Sequence, residues 1–250
     1  MVDPVIEICA NSVESCIAAQ KAGAARVELC AGIPEGGTTP SWGMMTAARK
    51  AIDIKFNVII RPRGGDFLYD DLETEIMHGD IHAARQARAD GVVFGCLTAD
   101  GDIDIKKNNL LMQGASGMST TFHRAFDVCR DPFRALEEII DMGFDRILTS
   151  GQQNLAMEGR ELIARLVEKA AGRIIIMPGS GVNEHNIAEL ASVTKAHEFH
   201  TSARETVSSR MQYRGNPVSM GGTVTIDEFS RQVTSADKVR QIIDILKSNG

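Results

Sequence analysis

Eight short apolar segments recur along the 250-residue chain, and their spacing is nearly constant. They are VIEIC (5–9), RVELC (26–30), FNVII (56–60), VVFG (92–95), STTFH (119–123), RILTS (146–150), RIIIM (173–177) and EFHTS (198–202). Most are rich in β-branched or aromatic residues and are followed by turn residues, which is typical of buried parallel strands. The seven intervals between Val5 and Glu198 average about 28 residues, the length of one strand–helix unit. The pattern therefore predicts eight repeated βα units.

Helical patterns fill the intervals between these strands. The clearest runs from Asp131 to Met142, where Asp131 suits the N-cap, Pro132 the first helical position and Gly143 the left-handed C-terminal residue. Alternating strands and helices form either a closed barrel or an open doubly wound sheet. The even spacing, the count of eight and the lack of a G-x-G-x-x-G motif after the first strand favour the barrel. We therefore predict an α/β fold, a single (βα)8 TIM-type barrel.

The barrel is expected over about residues 4–204, within a single domain that spans residues 1–250. The stretch from Glu205 to about Ser235 breaks the pattern, because it is rich in Ser, Gly and Arg with scattered Met. We expect an irregular C-terminal extension over residues 205–250, in which Asp237 to Ser248 forms a closing helix.

The composition limits the classes of function. Apolar residues make up 43% of the chain, which is enough for a full core, and the net charge of −6 disfavours nucleic acid or an anionic membrane surface as the main partner. No segment approaches a membrane-spanning length of apolar residues, and the first residues do not resemble a secretion signal. Five dispersed cysteines without a C-x-x-C motif indicate a reducing compartment. A cytoplasmic protein is therefore expected.

Four ionisable residues are expected inside the barrel, near the carboxyl ends of the strands where such barrels carry their chemistry. Because side chains alternate between the two faces of a strand, Glu7, Glu28, Arg61 and His123 should converge on one mouth. Burying these groups is costly unless they are paired. One interpretation is a structural ion-pair network that fills the barrel. The other is a polar pocket with Glu7, Glu28 and His123 as catalytic acid–base groups and Arg61 as an anion-binding group.

A second candidate binding element is the loop MPGSGV at 177–182, which follows the seventh strand. Small residues such as Gly179, Ser180 and Gly181 let backbone N–H groups point at an anion, and loops after the seventh and eighth strands of such barrels often hold phosphate. A Gly-rich turn also joins a strand to a helix without any ligand. Both interpretations stay open on the sequence alone.

Cys9 and Cys30 occupy matching positions in two copies of one pattern, IEICA and VELCA. Adjacent strands of a barrel could bring the two sulfur atoms together, and paired thiolates suit the soft ion Cu(I). The alternative is that both are small buried hydrophobic residues, which is common for free cysteine. His200, at the end of the eighth strand, is a secondary candidate for the pocket.

Longer motifs along the chain resemble one protein family. They are VELCAG (27–32), EGGTTPS (35–41), IRPRGGDFLY (60–69), DGVVFGCLTADGDID (90–104), TFHRAFD (121–127), ILTSG (147–151), GRIIIMPGSGV (172–182) and RGNPVSMGG (214–222). In this order they resemble the CutC family, which is named for copper homeostasis. The resemblance implies a cytoplasmic TIM-like barrel that forms a homodimer and takes part in copper handling. Two cysteines have been proposed as Cu(I) ligands in that family, and the matching positions are Cys9 and Cys30.

Two functional hypotheses follow. In the first, the chain is a copper homeostasis protein that binds Cu(I) through its two strand-end cysteines. In the second, it is a barrel enzyme that acts on a small carboxylate or phosphate metabolite, because carboxylates and guanidinium groups are poor partners for Cu(I). The residues of the second hypothesis are Glu7, Glu28 and His123 for proton transfer and Arg61 or Arg63 for holding the anion.

Overall fold

All eight expected strands are present in the computed structural model, which describes residues 4–215, 218, 220 and 226–248. They are β1 (Val5–Ala10), β2 (Arg26–Leu29), β3 (Lys55–Ile59), β4 (Gly91–Phe94), β5 (Ser119–Phe122), β6 (Arg146–Thr149), β7 (Ile175–Pro178) and β8 (Glu198–Thr201). They form one parallel sheet in which β1 lies between β2 and β8, and the order then continues from β2 through to β7. Because β7 also lies against β8, the sheet is a nearly closed barrel. The predicted TIM-type fold is confirmed.

Helices follow the strands as the repeat predicts. In the described part of the chain they are α1 (Val13–Lys21), α2 (Trp42–Ala51), α3 (Asp71–Gln86), α4 (Ile105–Gly114), α5 (Pro132–Asp141), α6 (Arg160–Ala170), α7 (Ile187–Thr194) and α8 (Ala236–Ser248). Two short 3-10 helices, Ile33–Glu35 and Arg124–Val128, lie in the loops after β2 and β5. No helix among these is long and apolar enough to cross a membrane.

Helix α5 shows how local sequence sets the boundaries. The side chain of Asp131 accepts hydrogen bonds from the backbone N–H groups of Phe133 and Arg134, at 3.0 and 3.1 Å, so it caps the first turn. Pro132 follows at the first helical position, where its missing N–H costs nothing. Gly143 stops the helix with a φ of +85°, a conformation that favours glycine. The predicted span from Asp131 to Met142 is therefore confirmed, with Asp131 as the N-cap and Met142 as the C-cap of the helix.

The two faces of the barrel strands differ in polarity, as their alternation predicts. The outer face is apolar and fully or almost fully buried against the helices, with Ile6, Ile8, Val27, Leu29, Phe56 and Val58 on the first three strands. The inner face carries buried polar groups at the intervening positions, namely Glu7, Arg26, Glu28 and Asn57. The core that stabilises the fold thus lies mainly between sheet and helices, and the first three strands place polar groups inside the barrel.

The C-terminal extension is partly regular. It contains an antiparallel pair, β9 (Arg204–Ser208) and β10 (Ser230–Thr234), where the sequence led us to expect irregular structure. These strands are largely exposed and polar, so they lack the alternation of apolar residues that reveals a half-buried strand. The closing helix α8 forms as expected and packs against α1 and α7. The motif RGNPVSMGG (214–222) lies partly outside the described residues.

Candidate functional site at the barrel mouth

A cavity of about 500 Å³, called the mouth cavity below, opens at the carboxyl ends of the strands. The predicted site residues that line it are Cys9, Glu28, Cys30, Arg61, His123, Ser180 and Gly181. Glu7, Arg63 and Gly179 are not among the lining residues. The strand alternation thus brought most of the predicted residues to one place, where their chemistry can act together.

Glu7 lies beneath the mouth cavity, in an ion-pair network that forms its floor. Its carboxylate accepts hydrogen bonds from Arg26 on β2 and, at 3.4 Å, from Asn57 on β3. Arg26 also pairs with Glu198 at 2.5 Å, and Arg146 pairs with Glu198 at 2.7 Å. Burial raises the pKa of Glu7, but Arg26 and a histidine bonded to it outweigh that effect and bring the pKa to about 2. Glu7 is therefore charged at neutral pH.

The sulfur atoms of Cys9 and Cys30 lie 3.4 Å apart. Cys9 lies near the end of β1 and is partly exposed at the mouth cavity. Cys30 follows β2, is buried and also contacts the backbone oxygen of Ala10 at 3.4 Å. Arg204 lies on the other side, with its Nη2 atom 3.5 Å from the Cys9 sulfur. The hydrogen bond with Cys30 lowers the pKa of the Cys9 thiol strongly against the effect of burial, and His200 and Arg204 lower it further. The pKa of Cys30 is raised instead, by the same hydrogen bond and by burial.

His200 on β8 joins the thiol pair to the floor of the cavity. Its Nδ1 atom lies 2.8 Å from the Glu7 carboxylate and its Nε2 atom 3.6 Å from the Glu28 carboxylate. One ligand atom each from Cys9, Glu28 and His200 falls within 4.8 Å of the others, which is close enough for one metal ion. Burial opposes the charged form of His200, but hydrogen bonds with Cys9 and Glu7 raise its pKa well above the usual value. Burial raises the pKa of Glu28 to about 8, so this carboxyl group is mostly protonated at neutral pH.

Arg61 and His123 form the opposite wall of the mouth cavity. Arg61 donates to the backbone oxygens of Glu35, Gly37 and Gly65 at 2.8, 2.9 and 2.8 Å, so much of its guanidinium holds the loops after β2 and β3. The ring of His123 accepts a 3.3 Å hydrogen bond at Nδ1 from the backbone of Ala125. Burial, aided by the charge of Arg61, lowers the pKa of His123 to about 3. His123 is therefore a neutral ring whose Nε2 atom carries the proton.

Arg63 is directed away from the mouth cavity. It pairs with Glu73 at the beginning of α3, and its guanidinium also bonds to Asp66 and to the backbone oxygen of Leu68. Residues just past a strand end are not bound by the strand's alternation, which explains why the sequence could not place this side chain.

The loop after β7 forms a further wall of the mouth cavity. A Cβ atom on Gly179 would lie 2.5 Å from a methyl carbon of Leu148 and 3.2 Å from the Cβ atom of His200, so any larger residue would have to displace Leu148. Ser180 and Gly181 follow with φ values of +80° and +71°. The predicted anion-binding segment is thus folded into a tight turn that faces the cavity, with Gly179 as its packing residue.

Two residues of the site carry only a weak signal in the sequence. His200 is a secondary candidate there, and Arg204 is not among the predicted site residues. The signal for His200 lay in the alternation of EFHT, which puts Glu198 and His200 on one face, and β8 pairs His200 directly with Glu7. Arg204 begins β9, and its approach to Cys9 spans 195 positions, a contact that no local pattern reveals.

Comparison with known proteins identifies the family of this barrel. The model of the CutC family matches residues 4–205, which cover the whole barrel. The chain belongs to the CutC family. The resemblance inferred from the motifs is thereby confirmed.

Individual CutC relatives match over nearly the whole chain. A CutC protein of Bacteroides thetaiotaomicron is 59% identical over 243 residues, which are 97% of this chain and 98% of the relative. A human relative, named copper homeostasis protein cutC homolog, is 47% identical over 244 residues, which are 98% of this chain and 89% of the relative.

Solved structures confirm the fold of this CutC chain. CutC from Streptococcus agalactiae matches with a TM-score of 0.77 at 36% identity, over 80% of this chain and 98% of that one. Thiamine phosphate pyrophosphorylase from Pyrococcus furiosus has a TM-score of 0.60 at 15% identity, over 98% of this chain and 96% of that one. The second match shows a shared barrel fold alone.

Proposed function

We propose that this copper homeostasis protein of the CutC family acts by binding Cu(I) at the mouth cavity through Cys9 and Cys30. The observation that carries the proposal is the 3.4 Å separation of the two sulfur atoms at an accessible cavity. Paired thiolates are preferred ligands of Cu(I). The name of the human relative, a copper homeostasis protein, supports the same conclusion.

The other donors beside the thiol pair fit a metal site in part. The imidazole of His200 suits copper, and its Nδ1 bond to the buried carboxylate of Glu7 is the arrangement that usually orients a metal-binding histidine. The carboxyl group of Glu28 is a hard oxygen donor and a poor partner for Cu(I). We therefore assign Cys9, Cys30 and His200 as the ligand set and leave Glu28 outside it. With Glu28 in place of Cys30, the set would instead suit Zn²⁺.

The test is a competition titration of the purified protein with a chromophoric Cu(I) chelator. Replacing both cysteines, Cys9→Ser and Cys30→Ser together, should abolish Cu(I) binding, and His200→Gln should weaken it. The control is Cys129→Ser, which changes a buried cysteine outside the mouth cavity and should leave the affinity unchanged. Unchanged affinity in the double variant would refute the proposal. Retention of Zn²⁺ but not Cu(I) by the wild-type protein would refute it as well.

A second candidate function is catalysis on a small anionic metabolite. The observation that favours it is the size of the mouth cavity, about 500 Å³, which falls within the range of small-molecule sites and far exceeds one ion. In this function Glu28 and His123 would transfer protons at the cavity wall, Glu7 would position His200 from below, and Arg61 would attract the anion. A crystal structure of the protein purified without added ligand tests it. A mouth closed by side chains, with every polar group paired, would exclude this candidate.

Homodimer formation and a cytoplasmic location complete the proposal. Both rest on the family resemblance, and the second also on the five cysteines without a C-x-x-C motif. Sedimentation equilibrium of the full chain tests homodimer formation. A monomer mass that does not change with protein concentration would contradict it.

A further inference from the structure

Buried polar atoms without a hydrogen-bond partner are concentrated around the mouth cavity. The described residues contain seven such side-chain atoms, and four of them belong to residues that line this one cavity. These four are Glu28 Oε1, Arg61 Nε, His123 Nε2 and Arg204 Nε. Buried polar groups in folded proteins nearly always have a partner, and each exception calls for an explanation. Their convergence on one cavity indicates that a bound molecule supplies the partners.

The unpartnered atoms are mainly donors. The Nε atoms of Arg61 and Arg204 always carry hydrogen. In His123 the Nδ1 atom accepts from Ala125, so the Nε2 atom is the protonated one and is a donor too. Arg61 and His123 are both buried, 5% and 3% exposed, and both line the mouth cavity. The molecule that fits must therefore present acceptor oxygens on this side.

The loop after β7 adds backbone donors at another wall. The carbonyl oxygens of three consecutive residues are all bonded to protein partners: Ser180 to Ala156, Gly181 to Asn183 and Asn186, and Val182 to Thr201. The backbone N–H groups of Ser180 and Gly181 donate to nothing within the described residues. Successive free N–H groups in such a turn form an anion-binding concavity. Thr201 ties this loop to the end of β8, and Arg204, three residues later, lines the same cavity.

Part of the remaining surface of the mouth cavity is apolar, beside the paired charges of Arg124 and Asp127. Ile33, Ile59 and Phe67 lie on the side of Arg61, and Leu148 and Val182 on the side of the β7 loop. A free inorganic ion would leave this surface in contact with water. An organic molecule with an apolar body would bury it.

We propose that the mouth cavity binds a small phosphorylated organic molecule. Its phosphoryl group lies against the N–H groups of Ser180 and Gly181 and the guanidinium of Arg204. An oxygen acceptor at its other end meets Arg61 and His123. The proposal rests on the second candidate function, in which the cavity holds a small anionic molecule, and it names the chemical class of that molecule. It does not depend on copper binding.

Isothermal titration of the metal-free full chain tests the proposal with inorganic phosphate, 4-carboxyphenyl phosphate and benzoate. The carboxyphenyl ester should bind at least about tenfold more tightly than phosphate, because it also reaches the apolar surface and the far donors. Arg204→Gln should weaken both by about tenfold or more, since a charge-assisted hydrogen bond is lost. His123→Phe should weaken the ester more than phosphate. The control Arg173→Gln removes an exposed arginine at the opposite end of the barrel and should change neither affinity.

Three results would overturn the phosphoryl site. They are no binding of either phosphate probe, equal affinities in the wild-type and Arg204→Gln proteins, or benzoate binding as tightly as the ester. The last result would leave catalysis on a carboxylate standing, so the failure of this inference can be told from the failure of the second candidate function. Should Arg204→Gln not fold, NMR of the ¹⁵N-labelled wild-type protein replaces it. Phosphate should then shift the amide resonances of Ser180 and Gly181 most, and shifts confined to other residues would contradict the site.

Discussion

Arg26 on β2 donates to the carboxylate of Glu198 on β8 at 2.5 Å, across the interior of the barrel and past β1, which lies between them. The same guanidinium bonds to Glu7, so Arg26 links two buried anions. This arrangement is the structural ion-pair network that the sequence allowed as one of two interpretations. The network forms the floor, and the mouth cavity lies above it.

Removing that cation should destabilise the barrel strongly. Arg26→Met leaves Glu7 and Glu198 buried with one cation fewer, and breaking a buried pair in this way typically costs about 3–5 kcal/mol. The free energy of unfolding, measured with a chemical denaturant, should fall by an amount of that order. The matched control is Arg231→Met, which breaks the half-exposed pair of Arg231 with Glu14 and should cost less than about 1 kcal/mol. Equal losses in the two variants would contradict the role assigned to Arg26.

The fold could be predicted because its determinants are local and repeated. A strand of four to six residues and the helix after it are each encoded within one interval, as Asp131, Pro132 and Gly143 show for α5. The two-residue alternation then put Glu28 and His123 inside the barrel. Neither conclusion required knowledge of distant contacts.

The depth of each side chain in the barrel could not be predicted in the same way. Glu7 lies below the mouth cavity while Glu28 on the next strand lines it, and the difference depends on the stagger between β1 and β2. The contact of Glu7 with His200 joins positions 193 residues apart. The side chain of Arg63 lies away from the mouth cavity because its direction is set by the loop after β3 and not by the strand. These features arise from tertiary geometry, which no local pattern carries.

Two glycines should respond to alanine in opposite directions. At Gly159 a Cβ atom would lie 2.0 Å from the carbonyl oxygen of Ser150, so Gly159→Ala must displace backbone and should destabilise the protein by more than about 2 kcal/mol. Gly79 lies in the exposed middle of α3 with nothing near its missing Cβ atom, so Gly79→Ala should stabilise the helix by about 0.5–1 kcal/mol. Denaturant unfolding of both variants measures the two changes. A gain in stability for Gly159→Ala would show that the close approach to Ser150 is wrong.

The neutral ring of His123 should make the protein sensitive to mild acid. Burial and the charge of Arg61 lower the pKa of His123 from 6.5 to about 3. Between these two pH values, His123 is protonated in the unfolded chain but neutral in the folded protein. Stability is therefore highest above pH 6.5 and falls as the pH drops toward 3, with a slope of up to about 1.4 kcal/mol per pH unit from this residue. His123→Phe keeps an aromatic ring beside Phe67 but has no proton to gain. Subtracting its unfolding free energies from those of the wild type across the interval isolates the slope, and a constant difference would contradict it.

Cys9 should be the most reactive thiol of the chain. It is partly exposed while the other four cysteines are buried, and its pKa is lowered by the hydrogen bond with Cys30 and by His200 and Arg204. Because the thiolate is the reactive form, iodoacetamide at neutral pH should modify Cys9 at least about tenfold faster than Cys16, Cys96 or Cys129, whose pKa values burial raises to about 12. Peptide mass spectrometry of samples quenched over time gives the rate at each site.

The partner that activates Cys9 can be identified in the same experiment. His200→Gln removes the imidazolium beside the sulfur and should slow the modification of Cys9 by several fold at neutral pH, while raising the pH should restore the rate. His185→Gln changes an exposed histidine and should leave the rate unchanged. If His200→Gln reacts as fast as the wild type at every pH, the thiolate is held by Cys30 and Arg204 alone. His200 would then have no influence on the Cys9 sulfur.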